Sequence, residues 1–196
     1  IVSIFFGGGT PSLMPSFIVE NIIQKLASVA TIDSNIEITL EANPTSVESS
    51  KFRNFSKAGI NRVSLGIQSL NSEDLKFLGR EHSVNEAIEA IEIAKDNFAR
   101  YSFDLIYALP KQTLESWKTE LSQALKLAGS HLSLYQLTIE KGTPFYSLYQ
   151  NKKFQIPNED LAKDFYSVTQ DIMSDAGLPA YEISNHAKKG EECKHN

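Results

Sequence analysis

Apolar and polar residues alternate along several short runs of this chain with the two-residue period of an extended strand. In "IEITLEA", Ile36, Ile38 and Leu40 share one side, and Glu37, Thr39 and Glu41 share the other. In "RVSLGIQ", Val63, Leu65 and Ile67 oppose Arg62, Ser64, Gly66 and Gln68. In "SFDLIY", Phe103, Leu105 and Tyr107 oppose Ser102, Asp104 and Ile106. These runs, with their apolar neighbours, predict strands at 2–6, 36–41, 62–67, 102–107 and 131–136, and a last short one at 180–183.

Between them the period lengthens to that of a helix. Ile18, Ile22, Leu26 and Val29 are spaced as one helical face, as are Leu114, Trp117, Leu121 and Leu125, and Leu161, Phe165, Val168 and Ile172. Strands separated by helices of this length imply right-handed crossovers and a parallel sheet. A doubly wound sheet buries both faces and reads almost continuously apolar. Here one face is apolar and the other polar and small. The pattern therefore predicts an α/β fold in the form of a splayed, partial (β/α) barrel whose inner wall receives a polar ligand.

Composition narrows the reading. The 196 residues carry 41% hydrophobic and 22% charged side chains, as expected of one globular domain spanning 1–196. A net charge of −5, from 19 basic and 24 acidic residues, gives no support to a nucleic-acid surface or a polybasic membrane anchor. Nor does any apolar run reach the ~18 residues that span a bilayer. A single cysteine, Cys193, excludes an internal disulfide and fits a reducing compartment, with the cytoplasm as the expected location. The chain opens on "IVSIFF", where a core strand starts, and closes on "ECKHN", and no signal peptide is expected. The expectation is that it is truncated at both ends, with one strand absent before residue 1.

Candidate chemistry gathers where strands end. Gly7, Gly8 and Gly9 follow the first strand and precede Thr10-Pro11, an arrangement that brings backbone groups close to a ligand or simply makes a tight turn. Neither the phosphate-loop spacing nor G-x-G-x-x-G is present, since Ser12 stands at the third glycine position. Glu41 ends its strand on the polar parity, and Gln68 holds the equivalent place on the strand that follows. Arg80, between helices, has the fork geometry for a carboxylate. Asp104 lies inside an apolar strand, where a carboxylate needs partners: ligand hydroxyls, a cation or a neighbour such as Arg62. His82, His131 and His186 read as structural or solvated residues. Cys193 and His195 are too few for a closed metal site.

Taken together, "FFGGGTPSLM", "EANPTS", "GINRVSLGIQSLNSEDLKFLGREH", "DLIYALPKQT", "YQLTIEKGTPFY" and "YEISNHA" resemble the radical S-adenosylmethionine family related to oxygen-independent coproporphyrinogen III oxidase, and within it the HemW-type heme chaperones. The resemblance covers nearly the whole chain. It implies that Gly8, Gly9 and Thr10 lie against the methionine moiety of S-adenosylmethionine. It places Glu41, Gln68, Arg80 and Asp104 at the other cofactor positions, with Thr138 beside the adenine. His195-Asn196 matches the start of a heme-binding stretch, which makes His195 a candidate heme ligand and implies heme or porphyrin as a partner, with a heme-acceptor protein beyond it. The family's Cys-x-x-x-Cys-x-x-Cys motif, which binds the [4Fe–4S] cluster, does not occur in these residues. On this resemblance the chain supplies part of a cofactor pocket but no cluster ligands and no catalytic residue of its own. The resemblance leaves three functions open: a heme chaperone, a porphyrinogen-decarboxylating enzyme, or an inactive α/β fragment.

Overall fold

The computed structural model describes residues 1–195, with the side chains of residues 46 and 47 left aside; Asn196 lies outside the described residues. Strands β1 (Ser3–Phe6), β2 (Glu37–Ala42), β3 (Arg62–Gln68), β4 (Arg100–Tyr107), β5 (His131–Gln136) and β6 (Asn185–Ala187) form one sheet in sequential order. The first five pair in parallel, and β6 closes the edge antiparallel to β5. Helices α1 (Ser16–Val29), α2 (Ser46–Ser49), α3 (Phe52–Lys57), α4 (Ser72–Phe77), α5 (Val84–Asn97), α6 (Leu114–Leu127), α7 (Pro144–Gln150) and α8 (Glu159–Asp175) fill the connections.

Strand order never reverses. Successive right-handed crossovers therefore stack their helices on the same face of the sheet, where a doubly wound fold would alternate them. That face holds the core: Ile38 and Leu40 of β2, Val63, Leu65 and Ile67 of β3, and Phe103 and Leu105 of β4 are all buried against the helices. Trp117 of α6 stacks on Tyr107 at 5.2 Å and donates from Nε1 to Thr169 Oγ1 of α8 at 2.8 Å, so the core's indole N–H has a partner. Among the described residues no helix is long and apolar enough to cross a membrane.

Two local expectations are corrected. The last strand is not 180–183 but Asn185–Ala187; Ala180 makes only an isolated bridge, to His186. In "AYEISNHA" Glu182 accepts from Ser184 N and Asn185 Nδ2 within a tight turn, so that Ala180 and Tyr181 fold back against His186 and Asn185, and Ile183, in the turn, is 74% exposed. In α1 the fully buried residue is Val19, with Ile23 partly buried against the same core, whereas Ile22 and Val29 are exposed. "FIVENII" offers two adjacent apolar stripes, and docking onto the sheet chose between them.

The inner face has two halves. Toward the N-terminal ends of the strands its polar groups are sealed together. Arg62 donates to Ser102 Oγ at 2.9 Å and sits 4.0 Å from Glu37, and Ser64 and Ser102 hydroxyls are 3.0 Å apart. Glu37 also binds Arg100 at 2.6 Å. The C-terminal segment crosses beneath: Lys194 N and Cys193 Sγ donate to Glu37 Oε1 at 3.0 and 3.3 Å, and Arg100 reaches the Glu191 and Glu192 carbonyls. Toward the C-terminal ends of the strands, the same face opens.

Candidate functional site

The opening is a cleft of about 180 Å³ lined by Gly9, Thr10 and Pro11 after β1, Glu41, Ala42 and Asn43 at the end of β2, Ser64, Gly66 and Gln68 of β3, Arg80, and Asp104 of β4. It lies at the carboxyl ends of parallel strands, where α/β folds leave room for ligands because the chain departs into connecting loops. The strands contribute by parity: apolar neighbours face the helices, so the polar set faces inward.

The glycine turn forms the first wall. Gly8 and Gly9 adopt φ of 80° and 63°, a left-handed conformation that side chains disfavour, and Gly8 N donates to Glu41 Oε2 at 3.3 Å. That bond ties the β1 loop to the end of β2. On β3, Gly66 faces inward where a Cβ would stand 3.3 Å from both Arg80 Nη2 and Gln68 Nε2, so the absence of a side chain keeps this part of the cleft open.

Gln68 reaches the cleft through a distortion. The β3–β4 register shifts between Leu65 and Gln68, and Gln68 itself has a φ of 72°. A non-glycine residue held there costs on the order of 1–2 kcal/mol and persists only where neighbours enforce it. The enforcing group is Glu120 of α6, buried, whose Oε1 accepts from Ser69 Oγ at 2.6 Å and Leu70 N at 2.7 Å. Burial raises the Glu120 carboxyl above its ordinary range, and these two bonds pull it back.

Arg80 follows α4, whose N-cap is Asn71, accepting from Glu73 N and Asp74 N. Its Nη2 donates to Asn43 Oδ1 and to the Gly66 carbonyl, both at 2.9 Å. Among the described residues no protein acceptor engages its Nε or Nη1. Burial lowers the guanidinium below its usual value, while Asp104 and Glu48 oppose that. Across the cleft, Asp104 is pushed up to about 6. Burial is the largest cause; the Ser133 hydroxyl, the Arg62 guanidinium and the Ser64 hydroxyl pull it down, and Glu41 adds to the rise. The cleft thus carries carboxylates on β2 and β4 and a cation at the loop after α4. That polarity suits a zwitterionic ligand with a separate hydroxylated part.

The structure brings Gly9, Thr10, Glu41, Gln68, Arg80 and Asp104 into this one cleft and places Gly8 immediately behind it. Thr138 lies in the loop after β5, outside the lining. His195 lies apart, its ring stacked on Phe5 of β1 with centroids 4.1 Å apart and planes at 13°. The other histidines are not solvated loop residues. His82 is buried with Nε2 3.0 Å from the Ile67 carbonyl, His186 is fully buried in β6, and His131 is buried 2.8 Å from Tyr181 Oη. Burial, helped by Arg62, Arg100 and His186, drives His131 down to about 3, so its ring is neutral. Asn43, Ser64 and Gly66 line the cleft without having been singled out. Ser64 and Gly66 share the inward parity of Gln68, and that was the available signal; Asn43 reads locally as a strand terminator before Pro44.

Residues 1–124 match the family model described as the radical SAM superfamily. The mitochondrial radical S-adenosyl methionine domain-containing protein 1 of Mus musculus is 40% identical over 197 residues, covering 100% of this chain and 45% of that protein. The heme chaperone HemW of Haemophilus influenzae is 42% identical over 195 residues, covering 99% of this chain and 50% of that one. The chain spans about half the length of the curated relatives it matches. Among solved structures, the coproporphyrinogen III oxidase HemN of Escherichia coli superposes with a TM-score of 0.80 at 23% identity, over 98% of this chain and 44% of that one, which establishes the shared fold. Such a family implies S-adenosylmethionine and a [4Fe–4S] cluster. The donor set present does not fit the cluster: the one cysteine is buried against Glu37, and no group of three or more His, Cys, Asp or Glu among the described residues is placed to hold a metal ion. The cleft, with its open Gly66 position and its charged groups of both signs, does fit a sulfonium nucleoside. By sequence and by fold, this chain belongs to the radical S-adenosylmethionine superfamily.

Proposed function

We propose that this chain forms the S-adenosylmethionine-binding part of a heme chaperone, a protein that binds heme and passes it to an acceptor protein. The observation that carries the reading is the single cleft into which Glu41, Gln68, Arg80 and Asp104 converge. Several relatives bear the name heme chaperone HemW, and the likeness to them runs the length of the chain. The bound nucleoside supplies the family's radical chemistry; the residues here hold and orient it. The Nε–H and Nη1–H groups of Arg80, left over after Nη2 binds Asn43 and the Gly66 carbonyl, suit a charge-assisted hydrogen bond to the methionine carboxylate. Glu41 takes the ammonium, the Gly8–Gly9–Thr10 turn lies along the methionine chain, and Gln68 and Asp104 receive ribose hydroxyls. Thr138 borders the adenine end. His195, exposed and with no hydrogen bond to its ring among the described residues, is the heme ligand of the proposal. The location in the cytoplasm and the absence of a nucleic-acid partner belong to the same reading.

The test uses the full-length protein with its cluster reconstituted. Heme titration is expected to give a bound Soret band that His195→Ala shifts or abolishes while S-adenosylmethionine still binds. Anaerobic decarboxylation of coproporphyrinogen III with no heme retained would replace the chaperone by an oxidase. The cleft has its own check. Gly66→Val should weaken S-adenosylmethionine binding by about tenfold or more in calorimetry, since the added methyls press on Arg80 and Gln68. Unchanged affinity would place the nucleoside elsewhere.

A further inference from the structure

Behind the cleft, outside its lining, Glu48 of α2 is buried and surrounded by donors. Its Oε2 accepts from Asn43 N at 2.9 Å and from the hydroxyl of Ser12, which is itself fully buried after the glycine turn. Its Oε1 accepts from Asn43 Nδ2 at 3.3 Å and from Thr45 Oγ1 at 3.5 Å. Asn43 then has its amide orientation decided: the NH₂ faces Glu48, and the oxygen faces Arg80 Nη2 at 2.9 Å. One carboxylate thereby joins the loop after β1, the turn after β2 and the arginine that follows α4.

We infer that Glu48 is a positioning residue for the cofactor site, acting through Asn43 to hold the Arg80 guanidinium in the orientation that receives a ligand carboxylate. The inference rests on the S-adenosylmethionine reading of the cleft. The chemistry of the relay is specific to a carboxylate at residue 48. Glutamine has the same shape but one acceptor and one NH₂. Its oxygen must meet Asn43 N, a donor that has no alternative role, so its NH₂ falls where Oε1 stood, against Asn43 Nδ2. Two donors facing each other turn the Asn43 amide over. Arg80 then meets an NH₂ in place of an oxygen and loses the bond that aims it. The Asn43→Asp substitution reverses the logic. Facing Glu48, the new carboxylate sets two like charges together. Combined with Glu48→Gln, it accepts from the introduced amide NH₂ with one oxygen and from Arg80 with the other.

The experiment is a mutant cycle of Glu48→Gln and Asn43→Asp in the full-length, cluster-reconstituted protein. Its readouts are S-adenosylmethionine affinity by calorimetry and the thermal midpoint of each variant. Each single substitution is expected to weaken binding about tenfold, Glu48→Gln by taking the acceptor away from Arg80 and Asn43→Asp by the repulsion of Glu48 that displaces its carboxylate. The double variant is expected to recover to within about threefold of the parent. Recovery of affinity in the double variant distinguishes the relay from general damage to packing, and it is read even if one single variant folds poorly. A double variant that loses as much as the two singles combined overturns the relay, as does a Glu48→Gln protein with the parent's affinity. A parent that binds no S-adenosylmethionine would instead remove the reading of the cleft, and the relay with it.

Discussion

Glu37→Ala should destabilise the fold by about 3–5 kcal/mol, the usual consequence of leaving a buried charge without its partner. Glu37 is 3% exposed and meets Arg100 Nη1 at 2.6 Å, Arg62 Nε at 4.0 Å, Lys194 N at 3.0 Å and Cys193 Sγ at 3.3 Å. Arg62, also 3% exposed, keeps the hydroxyls of Thr39 and Ser102 as its hydrogen-bond partners among the described residues once the carboxylate is gone. Arg100 is less enclosed and retains Glu191 at 2.9 Å, so most of the cost falls on Arg62. Native domains are stable by about 5–15 kcal/mol, so a loss of this size consumes a large share of the whole. Urea denaturation should show a lower midpoint, and limited proteolysis should cut first in the segment from Lys188 onward. A midpoint unchanged within error would mean that the carboxylate is not holding the two arginines and the C-terminal segment together.

The second large effect concerns pH. Asp104 is pushed up to about 6, mainly by burial, and in the proposed site it receives ribose hydroxyls as a carboxylate. S-adenosylmethionine affinity should therefore rise about tenfold from pH 5 to pH 7 and level off above. Asp104→Asn should flatten that profile and bind on the order of tenfold more weakly at pH 7. Stability runs the other way. A carboxyl whose folded pKa is raised from 3.8 to about 6 holds its proton more firmly in the native state than in the unfolded chain. The protein is thus relatively more stable below pH ~4 on this group's account, and loses up to about 3 kcal/mol as pH rises through ~6. The asparagine variant should lack that fall. An affinity profile identical in parent and variant would dissociate Asp104 from the nucleoside.

Asp104 was conspicuous because a carboxylate between Phe103 and Leu105 breaks an apolar run, and Glu41 because it closes a strand on the polar side. Gln68 was legible by parity alone, yet it reaches the cleft through a bulge and a left-handed backbone that Glu120, far along the chain, enforces. The α1 stripe and the last strand depart from their local patterns for different reasons. "FIVENII" permits two stripes and the sheet it packs on selects one, while in "YEISNHA" the Glu182 turn moves the strand to Asn185–Ala187.

Side-chain parity with a period of two, and helical faces with a period of 3.6, are local properties, so composition and spacing alone were enough for the α/β architecture and for which strand faces would be polar. Bonds such as Ser12–Glu48, 36 residues apart, and Lys194–Glu37, 157 apart, leave no mark on spacing. Folding closed one half of the polar face into an ion-paired floor and left the other half open as a cleft. The division depends on which distant groups arrive to neutralise buried charge, and three-dimensional proximity alone supplies them.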